Sequence, residues 1–125
     1  MKKTFFWFLT IFWIWLIWYL TQYPNLVLTP SSFWDTIIAD SSHFGFFGTL
    51  AILFYFALPA KIYHVKSVFI AVILTSIYGV VTEVHQAIVP GRMMDPLDWT
   101  FDTVGAILFV SIAAKCMKWG KRKHL

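Results

Sequence analysis

The sequence predicts an all-α protein: an integral membrane four-helix bundle with both termini on the cytoplasmic side. Three observations carry that expectation. The 125-residue chain is 59% hydrophobic, carries 13% charged residues and has a mean hydropathy of +0.71, whereas a soluble domain has about 25% charged residues. Four apolar runs, roughly 4–21, 43–60, 67–88 and 97–117, are each long enough to cross a hydrocarbon core of about 30 Å. If those runs alternate, Lys2, Lys3, Lys61, Lys66 and every basic residue from Lys115 to Lys123 share one side, and Arg92 alone takes the other. The excess of Lys and Arg on cytoplasmic loops then fixes the orientation.

Four spans and their connections use the whole chain, so one transmembrane domain over 1–125 is expected, with no separate soluble domain. The net charge of +4 does not point to nucleic acid, because the basic residues flank apolar runs as topology signals. The partner they imply is the bilayer. A single cysteine, Cys116, rules out an intrachain disulfide and the zinc patterns built on paired cysteines.

The first run, Phe5 to Leu20, follows Lys2 and Lys3 but has no small-x-small cleavage signal after it. It reads as an uncleaved span. Trp13, Trp15, Trp18 and Tyr19 crowd its second half, as aromatics do near a membrane surface. Without glycine or charge, this span is expected to face lipid more than any site, and its Trp-rich surface is a candidate for pairing with a second copy. Gln22 to Ser42 reads as a loop broken by Pro24 and Pro30. Within it, Ser32 and Asp35 resemble a capping box for a short interfacial helix, and Asp40, Ser41 and Ser42 are expected to cap the second span.

In the second span, Gly45 and Gly48 share a face that lets a neighbouring helix approach. In the third, Ser76, Gly79, Glu83 and Gln86 recur at helical spacing as one small, polar stripe. Pro90-Gly91 stops that helix, and Met93 and Met94 read as interfacial anchors of the loop that follows. Asp95 stands at the N-cap position of the fourth span, Pro96 at its first helical position and Asp98 in its first turn. Asp98, Asp102 and Gly105 share a face at i, i+4 and i+7.

Function is therefore sought in Glu83 to Asp102, which holds four of the six acidic residues between two apolar runs. An acid at the centre of a span costs about 2.5–3.5 kcal/mol on insertion scales, so Glu83 and Asp102 need partners. The tight loop makes spans three and four antiparallel neighbours, so their stripes can meet at one depth. Arg92 can reach down as counter-ion, and His43 can close the third side. The expected binding set is His43, Glu83, Gln86, Arg92, Asp98 and Asp102, with Glu83, Asp98, Asp102 and His43 also candidates for acid–base chemistry. Bland readings stand beside these. Asp95 reads first as an N-cap, Asp98 as an acid favoured by the helix dipole, His43 as an interfacial residue and Arg92 as a partner of Asp95. His85 lies off the Glu83 face and is left out. Carboxylates and His43 are possible ligands for a divalent ion, but no metal-ligand spacing is present, and no metal or cofactor is assigned.

From Asp40 to Gly105 the sequence resembles the VanZ-like family of small bacterial membrane proteins. The likeness rests on Asp40 followed closely by His43-Phe44 at the start of a span, on Glu83-x-x-Gln86 followed by Pro90-Gly91-Arg92, and on Asp98, Asp102 and Gly105. Asp102 stands where that family usually has Asn, and Ser41 where a Lys often follows the first Asp. The resemblance implies a bacterial plasma-membrane location and a link to low-level tolerance of the glycopeptide teicoplanin; it implies no firm reaction. A fainter likeness, to lipid phosphatases of the phosphatidic-acid type, runs through Ser42-His43, Arg92, Asp98 and Asp102. Asp98 stands there in place of the second His, and the upstream Lys/Arg motif is missing, which argues against that chemistry.

Three functions remain open. The outer cluster is a binding pocket for a lipid or lipid-linked envelope-precursor head group, with Arg92 and His43 facing anion and the acids facing amine or hydroxyl groups. Alternatively it is a membrane-embedded hydrolase or transferase working through paired carboxylates. Otherwise the polar cluster only specifies helix packing. Binding is the first reading, and the oligomeric state stays open.

Overall fold

The computed structural model describes residues 2–23, 31–59 and 64–123. Four helices follow in order: α1 (Lys2–Leu20), α2 (Ser32–Ala57), α3 (His64–Gln86) and α4 (Pro96–Lys123), with no strand among the described residues. Each contains a window long and apolar enough to span a membrane. Pro24, Pro30 and the connection over 60–63 lie outside the described residues.

The second helix departs from expectation. Asp40, Ser41 and Ser42 do not cap a span; they lie inside one continuous helix that begins at Ser32. No Gly or Pro interrupts 33–44, so nothing stops the backbone ladder there. The Ser42 hydroxyl is absorbed by the ladder, donating to the Ile38 carbonyl at 2.7 Å. The capping box does not form either. Ser31 is the N-cap residue and makes no side-chain capping bond, which places Asp35 a residue too late to answer it. At 26 residues, α2 is about 39 Å long and exceeds a hydrocarbon core of about 30 Å. Phe33 and Trp34 at its start are exposed.

The turn between α3 and α4 forms as the sequence indicates. Arg92 N–H bonds the Val89 carbonyl at 3.1 Å, so Pro90 and Gly91 occupy the two central positions. Gly91 has φ 82°, which a type II turn requires at its second central residue and glycine supplies without strain. Asp95 then caps α4: its Oδ1 accepts from Leu97 N–H at 2.8 Å.

Small side chains set the packing. Ala51, Ala71, Ala106 and Ala114 sit in the core with Leu50, Phe54 and Val110, as expected where helices associate without a hydrophobic drive. At Gly105, α2 and α4 approach closely. A Cβ on Gly105 would lie 2.3 Å from the Phe44 carbonyl oxygen. Gly48 lies under the Phe109 ring and Gly79 faces Asp102 and Trp99, but Gly45 has open space beside it and does not mediate a contact.

The first helix is mostly exposed, yet it is not detached. Trp13 donates its indole N–H to the Phe46 carbonyl at 2.9 Å, and Tyr78 donates its hydroxyl to the Ile14 carbonyl at 2.7 Å. Lys3 Nζ donates to the Leu58 carbonyl, which puts the start of α1 beside the end of α2. At the opposite end of the bundle, Arg92 reaches the Tyr23 carbonyl. The Lys-rich end and the acid-rich end are thus separated by the length of the helices.

Candidate functional site

The polar stripe of α3 faces α4 and the turn, as its spacing indicates. The hydroxyls of Ser76 and Thr103 pair at 3.0 Å, and Trp99 donates its indole N–H to Ser76. One turn on, Gly79 faces Asp102. Glu83 follows; its Oε2 accepts from Asp95 N–H at 2.8 Å. That bond ties the start of α4 to the end of α3. Gln86 closes the stripe, its Oε1 accepting from Arg92 at 3.1 Å.

The acidic face of α4 meets α2 at His43. The ring lies between two carboxylates: Nδ1 is 3.0 Å from Asp102 Oδ1, and Nε2 is 3.6 Å from Asp98 Oδ2. In the tautomer that makes the first contact a hydrogen bond, Nδ1–H donates to Asp102. Phe47, one turn further along α2, stacks parallel to the imidazole. The Gly105–Phe44 contact lies directly behind, so the distance between helices that admits His43 to Asp102 is set by the absence of a side chain at 105.

Burial divides the cluster. Glu83, Gln86 and Asp102 are 2%, 1% and 0% exposed. The side chains of His43 and Asp98 are 15% and 20% exposed and form its open side. Among the described residues four buried side-chain atoms have no hydrogen-bond partner: Thr75 Oγ1 and, within the cluster, Glu83 Oε1, Gln86 Nε2 and Asp102 Oδ2. Buried polar groups are nearly always satisfied, so three orphans on adjacent residues call for an explanation. One donor atom each from His43, Glu83 and Asp102 lies within 4.8 Å of the others. This is a donor set that no local spacing announces, because its members come from three helices.

All six expected binding residues lie at this end of the bundle, but Arg92 takes a different role. It forms no ion pair with a carboxylate among the described residues. Its guanidinium donates instead to Gln86 Oε1 and, at 2.8 Å, to the Tyr23 carbonyl. The fixed fork of N–H groups finds acceptors on two neighbouring segments. Asp95 is the N-cap it resembles, and not a partner of Arg92. His85 lies off the cluster, against Trp18 with ring centroids 3.9 Å apart.

Sequence reasoning missed three contributors. The Tyr23 carbonyl anchors Arg92, the Asp95 backbone N–H holds Glu83, and the Trp99 indole fixes the register of α3 on α4. The first two act through backbone atoms, which side-chain identity does not reveal. Trp99 was readable, since an indole N–H inside a span must find an acceptor.

A family model described as VanZ/LLP1 matches residues 6–117. No curated protein and no solved structure matches the chain.

Proposed function

The chain belongs to the VanZ/LLP1 family, and on that premise we propose that it binds the head group of a membrane lipid or lipid-linked cell-envelope precursor through the His43–Glu83–Asp102 cluster. The carrying observation is the unmet demand of Glu83 Oε1, Gln86 Nε2 and Asp102 Oδ2, all buried and all without a partner. A cluster serving packing alone would be expected to satisfy itself, because each orphaned group costs about 1–3 kcal/mol. His43 and Asp98, partly exposed, are the route from the membrane surface. The protein sits in the bacterial plasma membrane with both termini cytoplasmic. Support comes from the Lys-rich end of the bundle, opposite the acids. The cluster then faces outward, where envelope precursors and glycopeptides meet.

An enzymatic reading keeps one specific support: His43 is oriented by Asp102 as a base is oriented by a buried acid. One variant separates the two readings. Glu83→Gln keeps an acceptor for Asp95 N–H but removes the charge. Full lipid binding with lost turnover would favour catalysis.

The test is lipid retention by native mass spectrometry on the purified full chain, offered phosphatidylglycerol, phosphatidylethanolamine and polyprenyl phosphate. Wild type is expected to retain one class selectively, and Glu83→Gln and His43→Gln to lose it at unchanged helicity. Equal retention by all three proteins sinks the proposal. In cells, expression of wild type is expected to raise teicoplanin tolerance, and the same variants, at matched membrane abundance, to abolish the rise.

A further inference from the structure

We infer that His43, Glu83 and Asp102 form a divalent-cation site that takes a Zn²⁺- or Mn²⁺-class ion. This rests on reading the cluster as a binding site and names what the site holds first. Three ligands from three helices bring one imidazole nitrogen and two carboxylates within 4.8 Å. Mixed nitrogen and oxygen donors of this kind suit borderline first-row ions. Three protein ligands also leave a coordination position free, the arrangement of sites that receive an exogenous group.

The orphaned atoms are independent support. Asp102 Oδ2 and Glu83 Oε1 are buried and accept nothing, and Asp102 is fully buried within a span. No Lys or Arg pairs with either acid among the described residues, since Arg92 is committed to Gln86 and Tyr23. His43, charged only when protonated, is then the one counter-charge beside two buried carboxylates, and an uncompensated carboxylate is costly in hydrocarbon. A dication supplies both charges at one point. Asp98 completes the arrangement from outside: with Nδ1 on the ion, His43 Nε2–H faces Asp98 Oδ2, 3.6 Å away. A ligating histidine usually hands its second N–H to such a carboxylate. Tetrahedral bonds of about 2.0–2.1 Å put ligand atoms about 3.3 Å apart. The His43–Asp102 pair is already at 3.0 Å, and the Glu83 donor atom lies within 4.8 Å of both.

The ion changes the ligand class that the pocket recognises. An acidic pocket repels a phosphate; a dication with an open position attracts one. The head group therefore belongs to the anionic, phosphate-bearing class, held through the metal and not through Arg92.

The experiment uses the full chain in detergent, freed of its affinity tag, stripped with EDTA and titrated calorimetrically with ZnCl₂ and, separately, MnCl₂. One ion per chain at micromolar or tighter Kd is expected. Affinity should fall at least tenfold in Glu83→Gln and His43→Gln, and less in Asp98→Asn. No stoichiometric binding of either ion, or unchanged affinity in a folded Glu83→Gln, overturns the inference. Should the variants fail to fold, X-ray absorption at the zinc edge of wild type decides: a mixed oxygen and imidazole shell supports the site, and a shell without imidazole overturns it. Repeating the lipid assay in EDTA separates this inference from the pocket itself. Polyprenyl phosphate or phosphatidylglycerol retained in EDTA overturns the metal's role and leaves the pocket standing. An ion bound stoichiometrically with no lipid retained upholds the metal site and sinks the head-group reading.

Discussion

Replacing Gly105 with Ala tests how the bundle admits His43 to the buried acids. The added Cβ would fall 2.3 Å from the Phe44 carbonyl oxygen, and 3.1 Å from the Phe44 carbonyl carbon and from its Cα. The neighbour is backbone, so no rotamer change relieves it. To bring the oxygen to 3.0 Å, α2 and α4 must part by about 0.7 Å in a close-packed interior that resists such shifts. Overpacking of this kind costs about 1–3 kcal/mol. His43 precedes Phe44, so the same shift lengthens the 3.0 Å bond to Asp102, and losing it adds about 1–3 kcal/mol for a buried acceptor left unpaired. Gly45 is the control: it has nothing within 4 Å, so Gly45→Ala is expected to be neutral or to stabilise by up to about 1 kcal/mol through helix propensity. Unfolding in mixed micelles by SDS titration, followed by circular dichroism, measures both. If Gly105→Ala unfolds at the same SDS fraction as Gly45→Ala, the close approach of α4 to the Phe44 carbonyl does not set the helix spacing.

Three further outcomes are expected. Arg92→Ala removes the bonds to Gln86 and Tyr23 and should cost about 1–2 kcal/mol in the same assay, while leaving Zn²⁺ affinity within about threefold, because Arg92 pairs with no cluster acid. Asp95→Ala removes the N-cap bond to Leu97 and should cost about 0.5–2 kcal/mol without altering lipid retention. Cys116 is the chain's one cysteine, so Met93→Cys in a Cys116→Ser background should be labelled in intact cells by a membrane-impermeant maleimide; labelling only after cell lysis would reverse the proposed orientation.

Much of the site was legible because it is local. Glu83 and Gln86 fall on one helical face, the Pro90-Gly91 turn follows, and Asp95-Pro96 restarts the chain as a helix, all within the span of one hairpin. Hydrophobic neighbours on both sides made the acids conspicuous. Two of the roles that went astray depend on a neighbour remote in sequence. Arg92 could be placed near the acids by reach, but its acceptors include a carbonyl 69 residues away. Gly45 and Gly48 look alike on paper, yet only Gly48 faces an aromatic ring. Asp40 to Ser42 carry cap chemistry, yet a cap needs a helix to begin there, and α2 had already begun at Ser32.

The sequence alone determined that there are four helices long and apolar enough to cross a membrane, where the α3–α4 turn falls and which end holds the acids. These follow from hydropathy, helical period and turn chemistry, and each acts over a few residues. The tertiary structure decided that His43 enters between Asp98 and Asp102, that Arg92 leaves the acids unpaired, and that Glu83 and Asp102 keep free, buried oxygens. Those outcomes turn on the rotation of each helix about its axis and on sub-ångström spacing at Gly105. Hydropathy in a uniformly apolar span fixes neither; side-chain packing fixes both.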